Sequence, residues 1–299
     1  MSEGKKTEPP GMSKRNHINL IEKVFGSPAA SGTSHLLGRL ADLQVPQTVL
    51  DPIVHLYSAA MGVDSEAYEK PEGGFGTFNG FFGRTLKQGE REMCPDPDAL
   101  VSPCDGRISA FGNLDPSGTE FTIKKSRYTL ESLLGGAEDA VQYQDGSYAV
   151  VYLHPRDYHR VHAPCAGRLT KVRHIPGARY PVTGWCEARV ENIYDKNERM
   201  VFFFDLPSGA HLALVMVAAM GVGNIDTPFD PGVDRRQKTV RERRFDPAAA
   251  CGVGDDIGAF LLGSTVVLVG SRDAISLMSD LEIGPTRLGL RIGTVRSIK

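Results

Sequence analysis

The feature that most constrains this chain is its texture from about residue 98 onward: short apolar runs, each cut off by Gly, Pro or Asp. Runs at 100–101, 106–111, 147–153, 167–172, 200–206, 211–218, 259–262 and 265–269 are rich in Val, Phe, Leu and Tyr. Branched and flat side chains of this kind suit a pleated surface. Only 129–134 reads as helix among them. Strand and helix do not alternate, so a doubly wound parallel sheet is not expected, and no internal repeat is present. The 33 Gly and 19 Pro fit a turn-rich chain. The expected class is α+β, a mainly β catalytic core of short strands preceded by N-terminal amphipathic helices.

Residues 1 to about 16 are dominated by Gly, Pro, Ser and Lys and read as a disordered tail. Helical spacing follows in pieces: Ile18, Ile21 and Val24; then Leu36, Leu37 and Leu40; then, after Pro46, Leu50, Ile53, Val54, Tyr57 and Met61. Residues 1–40 carry six basic and three acidic side chains. Apolar faces beside a basic segment either pack on the protein's own core or lie on an anionic membrane surface. The stretch Glu72-Gly73-Gly74-Phe75-Gly76 then breaks the pattern, and an aromatic cluster of Phe78, Phe81 and Phe82 follows. The expected division is 1–70 for tail and helices, and 71–299 for the catalytic domain.

Thirty-four basic against 36 acidic residues give a net charge of -2, which excludes a global basic field for nucleic acid. No apolar stretch reaches the roughly 18 residues that span a bilayer, so contact with a membrane is expected from its surface. The N-terminal residues lack the apolar run of a secretory signal. Cys94, Cys104, Cys165, Cys186 and Cys251 are odd in number and none are spaced as C-x-x-C, so free thiols in a reducing compartment are expected.

Three local sequences carry chemistry. Ser102-Pro103-Cys104-Asp105-Gly106 is turn-forming and offers a carboxylate. His154-Pro155-Arg156-Asp157-Tyr158-His159-Arg160-Val161-His162 places three of the eight histidines within nine positions. Histidine exchanges protons most readily near neutral pH. His159 and His162 face one pocket if the segment is a helical turn. A zinc site built on these histidines has no partner spacing to complete it, and no metal is expected. The third sequence, Gly258-Ala259-Phe260-Leu261-Leu262-Gly263-Ser264-Thr265, places a hydroxyl next to an unshielded glycine carbonyl between two apolar runs. It matches neither a G-x-S-x-G elbow nor a phosphate loop. Together the three supply the orienter, base and nucleophile of acyl transfer.

The chain resembles the phosphatidylserine decarboxylase family of the bacterial and mitochondrial type. The carriers are Phe-Asn-Gly-Phe-Phe-Gly-Arg at 78–84, Ser-Pro-Cys-Asp-Gly at 102–106, Pro-Arg-Asp-Tyr-His-Arg-Val-His at 155–162, Gly-Ala-Phe at 258–260 and Leu-Gly-Ser-Thr at 262–265. Their order and separation agree with the family; Cys104 and His154 depart from its usual Ala and Ser. The resemblance implies self-cleavage between Gly263 and Ser264, giving a large fragment 1–263 and a small fragment 264–299. In that reading His162, oriented by Asp105, takes the Ser264 proton and the oxygen attacks the Gly263 carbonyl. The ester then eliminates, and the dehydroalanine hydrolyses to a pyruvoyl group and ammonia. The covalent pyruvoyl cofactor condenses with the amine of phosphatidylserine, and CO2 leaves to give phosphatidylethanolamine. His159 is assigned to decarboxylation, and Phe78, Phe81 and Phe82 to the lipid entrance. A homodimer of processed protomers on the cytoplasmic side of the cell membrane is implied, with no nucleic-acid partner. Two other readings of the residues stand beside it: an uncut hydrolase using Asp105, His162 and Ser264, and a catalytically silent lipid-binding protein.

Overall fold

The structure is a computed structural model that describes residues 40–115, 120–123, 126–182, 190–219, 225–230, 238–261 and 264–296. The earlier helical spacings at 18–24 and 36–37, and Cys186, Leu262 and Gly263, lie outside the described residues. Helix α1 (Gln47–Met61) ends where Gly62 adopts the left-handed conformation, φ 76°, and its N–H donates to the Ser58 carbonyl. The one-turn helix α2 (Phe78–Phe82) is capped by the Thr77 hydroxyl, which accepts from the Gly80 N–H.

Strands then follow: β1 (Ala99–Val101), β2 (Gly106–Asn113), β3 (Glu120–Ile123), β4 (Ser126–Thr129), β5 (Ser147–Leu153), β6 (Arg160–His162), β7 (Gly167–Ile175) and β8 (Arg199–Asp205). The remainder are β9 (His211–Ala218), β10 (Ile225–Asp226), β11 (Arg241–Cys251), β12 (Asp256–Phe260), β13 (Ser264–Gly270), β14 (Ile275–Leu277), β15 (Pro285–Thr286) and β16 (Arg291–Val295). Between β4 and β5 the stretch expected as helix is a single turn, Leu130–Leu134, capped by Thr129.

The main sheet has eight strands in the order β11-β7-β8-β9-β13-β5-β2-β15. Every neighbouring pair in it is antiparallel. Both of its faces are covered, which explains why its central strands read as unbroken apolar runs rather than alternating ones. Side chains of a strand point to opposite faces in turn. In β13, Val266 and Leu268 join one core with Leu153, Leu214 and Phe260, while Val267 and Val269 join the other with Val150, Val215 and Tyr148. Two smaller sheets, β1-β16-β14 and β10-β12-β6, are antiparallel as well.

The expected runs at 147–153 and 211–218 are strands over those same residues. The run at 259–262 begins earlier, at Asp256, because Asp256 pairs with His162 on β6. That pairing also corrects the helical-turn reading of the histidine segment. Arg160–His162 is strand rather than helical turn, and the two rings meet different partners, His159 against Phe82 and His162 against Tyr158. Strand β11 escaped the sequence reading. It is an edge strand whose Arg243, Arg244, Asp246 and Pro247 are exposed, so it carries no apolar alternation.

Candidate active site

The Asp105 turn and the histidine segment are stitched together by backbone hydrogen bonds. Val101 N–H donates to Pro164 O at 2.9 Å, and His162 N–H donates to Pro103 O at 2.8 Å. Gly106 permits the turn, since a Cβ there would lie 2.3 Å from the Tyr152 carbonyl oxygen. The Asp105 carboxylate is buried, and it is held by a partner that the motifs did not name. Arg91 donates from Nε at 2.9 Å and from Nη2 at 2.5 Å, and the Leu288 N–H adds a bond of 2.9 Å. A two-pronged guanidinium fixes a carboxylate in angle as well as distance.

His162 is oriented differently from expectation. Its Nδ1 is 2.8 Å from Gly254 O, which only accepts, so Nδ1 carries the proton. The lone pair is then on Nε2, 3.1 Å from the Tyr158 hydroxyl, which donates to it. Tyr158 stacks on the imidazole at 5.7 Å between centroids, and Tyr68 stacks on Tyr158 at 6.2 Å. Burial lowers the proton affinity of His162, and Arg160 pushes the same way; the Gly254 carbonyl, Asp256 and Asp105 oppose them. Asp105 therefore acts on His162 through its charge here, while the ring is aimed by the Gly254 carbonyl. The sequence gives no side-chain signal for such a contact.

His159 has no solvent exposure. Its Nδ1 donates to Asp157 O at 2.9 Å, and its Nε2 is buried with no hydrogen-bond partner among the described residues. Phe82 meets the ring edge to face at 4.6 Å between centroids. Burial, with Arg84 and His154 adding to it, pushes His159 down to about 3 against only the Asp157 carbonyl. The imidazole is neutral, and its lone pair is sealed from solvent.

Phe81 and Phe82 are buried, and Phe78 is half-buried. All three pack around Tyr57 of α1, with centroids 5.2 to 6.0 Å away. The Tyr57 hydroxyl donates to Pro155 O at 3.0 Å, so α1 is tied to the histidine segment. Arg160 bonds the Gly83 carbonyl at 3.1 Å and pairs with Asp256, closing the same junction. At the other end Phe260 N–H donates to His159 O at 2.9 Å. Gly258 lets β10 approach, because a Cβ there would lie 2.5 Å from Asp226 O.

Ser264 opens β13 and pairs with Leu153 on β5 and Ala218 on β9. Leu153 leads directly into the histidine segment. The Ser264 hydroxyl is fully buried and has no hydrogen-bond partner among the described residues. An unpaired buried hydroxyl costs free energy, about 1–3 kcal/mol, and calls for an explanation. The described cysteines, Cys94, Cys104, Cys165 and Cys251, are free thiols. Burial pushes Cys104, beside Asp105, well above its ordinary range, so it is inert as a thiolate.

Arg91 and Tyr158 are side chains of this site that the motifs gave no role. Arg91 lies in the charged stretch 87–92, which reads as a solvated loop. Tyr158 lies inside the histidine motif, and that neighbourhood was the available signal.

Comparison with known proteins agrees with this arrangement. The family model for phosphatidylserine decarboxylase matches residues 78–293. Similar proteins include the phosphatidylserine decarboxylase proenzyme of Acidovorax ebreus (strain TPSY), 40% identical over 84% of this chain and 89% of that protein. That of Azotobacter vinelandii is 36% identical over 87% of this chain and 92% of its own length. That of Bordetella pertussis is 38% identical over 86% and 88% respectively. With most of its length covered at this identity, the chain belongs to the phosphatidylserine decarboxylase family.

Proposed function

We propose that this chain is a proenzyme that cuts itself between Gly263 and Ser264 and then decarboxylates phosphatidylserine to phosphatidylethanolamine. The observation that carries the reading is the Ser264 hydroxyl, sealed from solvent and without a partner among the described residues. A hydroxyl closed off in this way suits attack on its own chain better than attack on an outside ester, which favours self-cleavage over an uncut hydrolase.

Ser264 also fits as the source of the pyruvoyl group, because a reactive end formed there starts a strand held on both sides. The ketone of that group supplies an electrophile for the substrate amine and a sink for the electron pair left as CO2 departs. The chain's own residues do the rest. His162 Nε2 receives the Ser264 proton, once the Tyr158 hydroxyl yields that position or passes a proton along it. Asp105, fixed by Arg91, favours the resulting imidazolium through its negative charge. His159 offers an Nε2 sealed from solvent, which can take up a proton that the substrate ammonium loses on imine formation and return it to the carbon that CO2 leaves.

Residues 264–299 include β13 to β16. Strand β13 lies between β9 and β5 along seven paired positions on each side, so the small fragment stays docked after cutting. Membrane association has its own support. In α1, Val49, Ile53 and Leu56 are exposed on one face, Leu56 by 72%, and Leu40 and Leu43 extend the apolar surface. No helix among the described residues is long and apolar enough to cross a membrane. A helix lying on the cytoplasmic face of the cell membrane would bring the tied histidine segment towards the headgroups. Support for a homodimer comes from the family resemblance.

The test is a denaturing gel with intact mass on purified full-length protein. Two fragments with their boundary at 263/264, the smaller starting with a ketone that an amine and cyanoborohydride reduce, are expected. An intact chain inert to that treatment overturns the proposal.

A further inference from the structure

Arg84 is 3% exposed, yet among the described residues no carboxylate forms an ion pair with it. A buried charge is ordinarily paired, since removal from water costs several kcal/mol. Arg84 is held instead by carbonyls and rings. Nη1 donates to Phe81 O at 3.3 Å, and Nη2 donates to Arg156 O at 3.4 Å and Asp157 O at 3.1 Å. The guanidinium lies 4.0 Å from the Tyr68 ring centre and 4.7 Å from that of Phe81, and Nε has no partner among the described residues. The Asp157 carbonyl is the same one that receives the His159 Nδ1–H.

We propose that Arg84 is a positioning residue for the decarboxylation step: it fixes the Asp157 carbonyl that aims His159, and its unbalanced charge makes the enclosure receptive to an anionic headgroup. The inference rests on the role given to His159 above. Two bonds to one carbonyl oxygen, from Arg84 and from His159, leave the ring little freedom and keep its lone pair on Nε2. The charged groups acting on His159 are Arg84 and His154, with the Asp157 carbonyl opposing them and Phe82 against the ring. A negative headgroup entering beside Arg84 offsets its charge, so His159 accepts a proton more easily when substrate is present than when it is absent.

Lysine and methionine at this position separate the two parts of the claim. Arg84→Lys keeps the charge and loses the fork; Arg84→Met loses both. Decarboxylation of phosphatidylserine vesicles is followed as CO2 release across pH, normalised to cut chain, with His159→Ala alongside. Arg84→Lys is expected to lower kcat about tenfold with KM within twofold of the parent. Arg84→Met is expected to raise KM at least fivefold as well, and to move the acidic limb of the rate profile to higher pH, because a positive neighbour of His159 is gone. Should Arg84→Met fail to fold by circular dichroism, Arg84→Lys alone decides through kcat. An Arg84→Lys enzyme with parental kcat, or a KM that rises as much in Lys as in Met, overturns the proposal. If His159→Ala releases CO2 at the parental rate, the role of His159 itself is wrong, whatever the Arg84 variants do.

Discussion

Two histidines three residues apart sit in opposite environments. His162 has both ring nitrogens engaged, by Gly254 and by Tyr158, and it is partly exposed. His159 is sealed, has one nitrogen engaged and keeps the other free against an aromatic wall. The difference arises from the backbone. His159 turns towards Phe82 of α2, and His162, in strand β6, turns towards Gly254 and Tyr158. On the proposed reading these environments suit separate duties: a base supported by a polar network for cutting the chain, and a sealed, neutral imidazole for decarboxylation.

The largest expected effect removes the step that both depend on. Ser264→Ala is expected to stay a single chain on a denaturing gel; two fragments from that variant would place the reactive bond elsewhere. Next come the two histidines. His162→Ala is expected to slow self-cleavage by about a hundredfold or more, the usual scale for losing a general base. His159→Ala is expected to cut normally and to release CO2 about a hundredfold more slowly. If each variant loses both activities equally, the division of labour between the pockets is broken.

Phe82→Ala probes the wall. Phe82 is fully buried, and truncating such a ring costs about 3–5 kcal/mol, readable by urea unfolding. Water admitted to His159 is expected to lift its proton affinity from about 3 back towards 6.5, visible in its NMR titration. The same group makes a pH prediction for the intact protein. Below about 6.5 the unfolded chain binds a proton at this histidine that the folded chain refuses until about 3. The unfolded state therefore gains protons first, and His159's share of stability falls as pH drops across that window. A smaller slope of unfolding free energy against pH in His159→Gln than in the parent would confirm it; identical slopes would count against the dry pocket.

The smallest effect concerns α1. Leu56→Glu is expected to weaken sedimentation with anionic vesicles about tenfold, on the scale of one buried leucine, and to leave the thermal midpoint unchanged because the side chain is already exposed. Unchanged sedimentation would move the membrane contact away from this helix.

Much of this was legible beforehand, and the reasons are specific. The strands at 147–153 and 211–218 announce themselves because both faces are buried and nearly every residue must be apolar. β11 was silent because an exposed edge imposes no such demand. Asp105, His162 and Ser264 were legible as residue types able to move protons and attack a carbonyl. Their partners were not. Arg91 reaches Asp105 across 14 positions and Leu288 across 183, and Gly254 acts through a carbonyl that every residue possesses.

The sequence by itself determined the chemical inventory and the layered β architecture, because reactive groups and side-chain periodicity are local properties. Only the tertiary structure decided which histidine is sealed and which is networked, and that Arg84 stands buried with no carboxylate pair among the described residues. Burial, charge compensation and the direction of a lone pair depend on what other segments bring to the same place, and no single stretch of chain encodes that.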